Sequence, residues 1–327
     1  MTKPRLLVLS LGGTITMVPD DSGGLAPKLG AAELVASVPA LAEVAEIEAR
    51  SPFRLPSPSL TPGNLVEVAG TIEDGLASGF DGAVVIQGTD TIEESAFILD
   101  LLIGGEKPVV VTGAMRGADA PGADGPANLL AAARVAAAPE SRGLGTLAVL
   151  NYDIHAARFV QKSHTVLPSA FLSPLVGPLG VVAEGRPRFF VRVSRAPSLP
   201  CLDGPPLSVA IVKWAMRDDG RMLGVLPGLG YVGAVVEGMG AGHVPADVAP
   251  LLGELAAQIP VVLATRPMTG PVFTRTYGYP GSEIDLIARN LVPAGYLSGL
   301  KARLLLGFTL RSGNSAAALA EAFAPYQ

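Results

Sequence analysis

Short apolar, β-branched runs alternate with segments whose apolar residues recur at helical spacing along most of this chain. In the first half, residues 6–10, 83–86, 109–112 and 146–150 are such runs, bounded by Gly or Pro, and predict buried strands. Between them, residues 62–76 and 92–102 predict helices, and Asp124 followed by Pro126 marks the start of a third that runs to about residue 137. That β-α alternation implies a largely parallel sheet covered on both faces. Past residue 150 the strand-like pieces shorten, to 157–161, 181–184 and 189–193, and suggest a hairpin that closes the first domain. Residues 194–208 hold Pro197, Pro200, Pro205 and Pro206 with no period and predict a linker. The pattern then resumes, with strands expected at 209–214, 234–237 and 261–264 and helices near 246–258, 298–306 and 315–324. The expected fold is therefore α/β: a larger N-terminal domain over 1–193 with a mostly parallel sheet flanked by helices, and a smaller α/β domain over 209–327.

Composition narrows the classes of function. A chain of 327 residues that is 49% hydrophobic can bury a sizeable core, and no apolar run approaches the roughly 18 residues needed to span a bilayer. The formal charge of -5 and the scatter of Lys and Arg leave no footprint for nucleic acid, so a small-molecule partner is expected, and neither nucleic acid nor membrane. The basic start and the apolar stretch to Leu11 are too short for the core of most signal peptides and read as a strand. Cys201 is the single cysteine, which excludes an intramolecular disulfide and fits a reducing cytoplasm. His155, His164 and His243 are too scattered to suggest a metal site. Gly228, Gly230 and Gly233 have dinucleotide-loop spacing, but a strand-like run follows them where a helix is required. No metal and no organic cofactor is expected.

In open α/β sheets ligands collect beyond the carboxyl ends of the strands. There the first strand runs into Gly12-Gly13-Thr14-Ile15-Thr16, the second into Gln87-Gly88-Thr89-Asp90-Thr91, and the third into Gly113-Ala114-Met115-Arg116. A threonine hydroxyl becomes a nucleophile when a neighbour accepts its proton, and glycines such as Gly88 let backbone N–H groups approach a substrate. A Gly-Thr pair can equally be a strand exit whose threonine caps the next helix, but two at strand ends favour chemistry. Asp90 is a candidate for binding a substrate ammonium, or else a helix cap. Glu93 and Glu94 are expected only to favour the first turn of their helix through its dipole. Lys162, one of few lysines, follows a strand-like run and is a further candidate beside the plain reading of a solvated lysine.

These segments together resemble the bacterial-type L-asparaginase family: Gly-Gly-Thr14-Ile, Gln-Gly-Thr89-Asp90-Thr-Ile-Glu-Glu, Thr-Gly-Ala114-Met-Arg with Ala-Asp124-Gly-Pro beyond, and Lys162 in the matching later position. The resemblance implies hydrolysis of L-asparagine to aspartate and ammonia without a cofactor, in a cytoplasmic homodimer or homotetramer with sites shared between subunits. It places Thr14 and Thr89 on two sides of the amide, joins Lys162 and Asp90 to Thr89 as an activating set, and gives Asp90 the substrate ammonium. Ser57 would bind the α-carboxylate, and the Ala114 carbonyl would meet the leaving nitrogen. Glutamine hydrolysis, an amidotransferase-subunit role and a catalytically weak asparagine-binding protein are the alternatives.

The chain also departs from the family. Many members carry a tyrosine in the mobile loop after the first threonine, whereas no Tyr occurs between Thr14 and Ser57, although residues 20–30, with Gly23, Gly24 and Pro27, have a lid's composition. Pro58 replaces a glutamine beside the serine, and Tyr277 stands where some members use a glutamate from the adjacent subunit. Tyr277 is thus a candidate for the missing phenol or a structural tyrosine, with Tyr279 as its control. The segment Gly238-Met-Gly240-Ala-Gly242-His243 resembles the part that reaches a neighbouring subunit's substrate.

Overall fold

Strands such as Gly82–Ile86, Val109–Thr112 and Thr146–Leu150 are buried at every residue, as a sheet covered on both faces requires. A computed structural model of the chain describes residues 3–19, 25–27, 29–200, 207–312 and 316–327. Much of the expected lid, including Gly23 and Gly24, and Cys201 lie outside the described residues. The chain divides into two units, Met1–Cys201 and Leu202–Gln327.

The first unit carries an eight-stranded sheet in the spatial order Arg186–Phe189, Gly180–Ala183, Asp153–Ala156, Thr146–Leu150, Val109–Thr112, Gly82–Ile86, Arg5–Ser10 and Glu46–Arg50. The five strands from Thr146–Leu150 to Glu46–Arg50 run parallel, and the other three extend the sheet antiparallel. Leu6, Val8, Val84, Ile86, Val110, Leu147 and Val149 share one core with Leu129, Ala132 and Val135 of the helix Gly125–Ala137. The helices Pro62–Ala77 and Ile92–Leu102 pack on each other and on the sheet. Burying each aliphatic side chain contributes about 1.5–3 kcal/mol, so the apolar alternation is what holds these layers.

The chain passes from Arg5–Ser10 to Glu46–Arg50 on one side, then returns to Gly82–Ile86 on the other. Ser10 pairs with Ile86, so the two strands end level. A crevice at such a reversal of strand order is where open α/β sheets bind ligands.

The expected α/β class and mostly parallel sheet are found, with three local corrections. Residues 157–161 are not a strand: the Phe159 and Val160 amides turn back to the Ala156 carbonyl, at 3.0 and 3.1 Å, and only Gln161–Lys162 pairs, with Phe171–Leu172. Their apolarity reflects burial, since Ala157 and Val160 are 1% and 0% exposed. The closing hairpin exists but its second strand is Arg186–Phe189, ending where 189–193 was expected to begin. The edge strand Glu46–Arg50 gave no apolar signal because three of its five residues, Glu46, Glu48 and Arg50, are exposed.

The second unit holds four parallel strands in the order Val209–Lys213, Gly233–Gly238, Val261–Thr265 and Val292–Pro293. Trp214, Val236, Leu252, Leu263 and Leu286 meet in its core. Helices Ala249–Ala256, Glu283–Ala288, Gly299–Ser312 and Ala316–Phe323 accompany the strands, of which the second was not expected. No helix among the described residues is long and apolar enough to cross a membrane.

Thr61 caps the helix Pro62–Ala77: its hydroxyl accepts from the Asn64 amide at 3.2 Å, while its own amide donates to the Asn64 side chain at 2.9 Å. Thr61→Ala is expected to cost about 1 kcal/mol of stability. Urea unfolding measures it, and an unchanged midpoint would mean that Pro62 alone fixes the helix start.

Candidate active site

Backbone, not side chains, brings the two Gly-Thr exits together. The Leu11 amide donates to the Ile86 carbonyl at 2.8 Å, and the Leu55 amide donates to the Leu11 carbonyl at 2.9 Å. Gly12 and Gly13 then take φ of 109° and 92°, a region that L side chains rarely enter. A Cβ on Gly13 would stand 2.0 Å from the Gly88 nitrogen, so no other residue fits between the exits. The turn is closed by the Thr16 amide and hydroxyl, which both donate to the Gly13 carbonyl, at 2.9 and 2.7 Å. Thr14 opens this 3-10 turn half-buried, and Thr89 opens the corresponding turn of the neighbouring strand at 6% exposure.

Lys162 reaches this point from 73 residues further along. Its Nζ donates to the Thr89 hydroxyl at 2.8 Å and to the Asp90 carboxylate at 2.6 Å. The lysine side chain is 16% exposed and that of Asp90 59%, so the carboxylate is paired on one side and open to solvent on the other. Glu93 takes part: its carboxylate accepts from the Lys162 backbone amide at 3.3 Å, which fixes the strand that carries the lysine. The expectation that Glu93 serves only the helix dipole is thus too narrow.

Ser57 is 3% exposed, and its hydroxyl accepts from the Asp90 amide at 3.3 Å. Thr91 donates to the Ser57 carbonyl at 3.3 Å and accepts from the buried Gln87 amide group at 3.1 Å, so Gln87, which the sequence did not single out, braces the exit. Pro58 lies beside Ser57 with an exposed ring.

Ala114 is buried in the next exit, behind Gly113, where a Cβ would stand 3.4 Å from the Thr89 methyl group. Asp124 and Asn128 hold that loop. The Met115 and Arg116 amides both donate to Asp124, at 2.9 Å, and the Asn128 side chain donates to the Gly113 carbonyl at 2.9 Å. Asp124 occupies the helix-cap position that its sequence predicts, yet its carboxylate makes no capping bond and serves the loop instead.

The first unit therefore gathers Thr14, Ser57, Gly88, Thr89, Asp90, Ala114 and Lys162 around one strand reversal. Tyr277 belongs to the second unit, 42% exposed, with its ring edge-on to His243 at 5.0 Å and its backbone amide donating to Glu283 at 2.7 Å. The hydrogen-bonded phenol there is Tyr279, whose hydroxyl lies 3.0 Å from His243 Nδ1. The histidines serve separate ends: His155 pairs with Ser173 at 2.9 Å, and His164 Nδ1 accepts from the Val166 and Leu167 amides. The glycines 228, 230 and 233 lead into the strand Gly233–Gly238 and do not follow one.

A threonine hydroxyl bonded to a lysine-carboxylate pair, with a second threonine at the neighbouring strand exit and both at the carboxyl ends of a parallel sheet, is the arrangement of an α/β enzyme. Comparison with known proteins gives the family. Residues 5–195 match the model of the asparaginase N-terminal domain, and residues 208–323 that of the glutaminase/asparaginase C-terminal domain. A probable L-asparaginase of Deinococcus radiodurans is 38% identical, over 95% of this chain and 94% of that protein. An L-asparaginase of Bacillus licheniformis is 34% identical over 94% and 96%. The crystal structure of a probable cytoplasmic L-asparaginase from Campylobacter jejuni superimposes with a TM-score of 0.87 at 31% identity, covering 98% of this chain and 99% of that one. The chain belongs to the asparaginase family.

Gly13→Ala tests the backbone contact at the heart of the site. The strained φ and the clash with Gly88 are expected to cost about 2–5 kcal/mol and to disable the site. Gly70→Ala, in an open helical position, is the control and is expected to stabilise by about 0.5–1 kcal/mol. Equal melting shifts for the two variants would show that the exits have room to separate.

Proposed function

We propose that this chain hydrolyses L-asparagine to aspartate and ammonia, and the observation that carries the reading is the Lys162 contact with both Thr89 and Asp90. An ammonium donating to the Thr89 oxygen stabilises the alkoxide formed as its proton leaves, and the amine form can take that proton itself. Asp90 holds the lysine with one oxygen and presents its exposed side to the substrate ammonium. Ser57, braced against the Asp90 amide, takes the α-carboxylate beside Gly88 and Pro58. The Ala114 carbonyl accepts from the leaving amide nitrogen.

Thr14 stands on the opposite side of the amide, and Tyr277, from its own or a neighbouring chain, is assigned to it as the phenol in place of the absent lid tyrosine. A homodimer or homotetramer is the proposed assembly, since the family resemblance places second-unit residues at a neighbouring subunit's substrate. The name of the Campylobacter jejuni protein supports a cytoplasmic location for this chain too.

Ammonia release from asparagine by the purified protein tests the reading directly. Thr14→Ala and Thr89→Ala are each expected to lower turnover by at least about 10²-fold with folding unchanged. Lys162→Met should reduce kcat more than it raises KM; the reverse would exchange the roles of lysine and Asp90. Tyr277→Phe keeps the ring and deletes the hydroxyl, so a fall in turnover of roughly 10–10³-fold with an unaltered melting temperature is expected. Wild-type turnover in that variant would leave Thr14 in need of another activator.

A further inference from the structure

The helix Gly125–Ala137 starts at the loop held by Asp124 and ends about 20 Å away, at 1.5 Å per residue. Against its last turns opens a concavity of about 480 Å³, lined entirely by residues of the first unit. Arg134 points into it from the helix, with the small side chain of Ala137 three residues on along the same face. The facing wall is the hairpin of Gly180–Ala183 and Arg186–Phe189, whose two turn residues, Glu184 and Gly185, take φ of 51° and 76°. Positive values at both positions match the twist of a tight hairpin. A Cβ on Gly185 would stand 3.3 Å from the Arg134 Cζ, so the glycine lets the turn lie against the guanidinium. Arg186 and Arg188 follow at alternate positions of the strand, on one side of it, and both are exposed.

Taken singly, each arginine has an ordinary explanation. A cation in the last turn of a helix complements its dipole, and charge on an edge strand keeps other chains from pairing with it. Neither explains the group. The guanidinium groups of Arg134, Arg186 and Arg188 make no hydrogen bond and no ion pair with any described residue, whereas Arg50, Arg221 and Arg289 each pair with a carboxylate nearby. Glu140 is the single acid that lines the concavity, and Pro187 by itself already blunts the strand edge. In a chain of formal charge -5, three unpaired cations around one hollow repel one another. Apolar walls focus the field of such a group on an incoming anion.

We propose that this concavity is a binding site for a small oxyanion of two or more charges, borne on phosphate or carboxylate groups, separate from the amide site and independent of the amidohydrolase reading. A guanidinium offers parallel N–H donors that match the oxygens of either group. With three arginines against Glu140, a monovalent ion would leave the hollow positive, and a multivalent one balances it. The volume lies within the roughly 300–1,000 Å³ of small-ligand sites.

Isothermal titration of the intact chain with inorganic pyrophosphate, and separately with citrate, at constant ionic strength tests the site. Saturable binding of one anion per chain is expected, and the tighter of the two tells phosphate from carboxylate chemistry. Arg186→Gln combined with Arg188→Gln should weaken it at least about 10-fold, the scale of losing charge-assisted hydrogen bonds. Both side chains are exposed, so the variant is expected to fold and to release ammonia from asparagine as the wild type does. Arg217→Gln combined with Arg221→Gln removes the same charge from exposed positions of the second unit and should leave affinity within about 2-fold, because salt screens distant charges. No saturable binding of either anion would overturn the proposal. Equal affinity in the two double variants would overturn it too, since it marks attraction by net charge alone. So would capture of the protein by phosphatidylserine vesicles through Arg186 and Arg188 with neither small anion bound, which would make this surface a membrane contact.

Discussion

The contact on which the first unit's chemistry depends is the approach of the Gly13 and Gly88 backbones between two adjacent strand ends. Ser10 and Ile86 are paired, so both strands stop at one level, and with no Cβ on Gly13 the exits close upon each other. That closeness sets Thr14 and Thr89 in the turns beyond the two strands that flank the reversal of the sheet's order. Any larger residue at position 13 would move one exit outward, because its obstacle is peptide backbone and not a flexible side chain. Rigidity here comes from the sheet: the hydrogen bonds of Leu11 to Ile86 and of Leu55 to Leu11 continue its ladder beyond the strands. Preorganisation of this kind puts reacting groups in place before substrate arrives.

Around that contact, polar side chains hold loops by their backbone and leave their neighbours free for chemistry. Asp124 takes two amides of the Gly113–Arg116 exit, Asn128 takes a carbonyl of the same loop, and Glu93 takes the amide of Lys162. Each is a positioning role, since the group it holds, not the group itself, faces the site. Lys162 is the exception, contacting two side chains at once, and its short strand has only two residues to fix it. The Glu93 bond therefore matters more than its 3.3 Å length suggests.

The parallel strands and their helices were legible because each apolar run has one period and one fate, burial on both faces. The Gly-Thr exits were legible because glycine at a strand end has few other uses, and the resemblance that those motifs carry added Ser57 and raised Lys162 above the plain reading of a solvated lysine. The strand Glu46–Arg50 escaped notice because an edge strand needs only alternate apolar residues and supplies few. Residues 157–161 misled for the opposite reason, since burial made them apolar without pairing them. Asp124, Glu93 and Gln87 were undervalued because a capping residue, a dipole-complementing acid and a buried amide look alike in sequence whether they bond their own helix or another loop. Only distances separate those cases.

The second unit shows the same difference in a sharper form. In sequence, Tyr277 and Tyr279 are two phenols of one short loop, and alignment favours the first. In space, Glu283 divides its two oxygens between them: one clamps the Thr276 and Tyr277 amides, the other orients the imidazole that faces the Tyr279 hydroxyl. A single buried carboxylate thus holds the loop by its backbone and meets the imidazole that both tyrosine rings pack against. An apolar residue in its place would escape the cost of desolvating a carboxylate but would leave the Thr276 and Tyr277 amides and the imidazole without their partner.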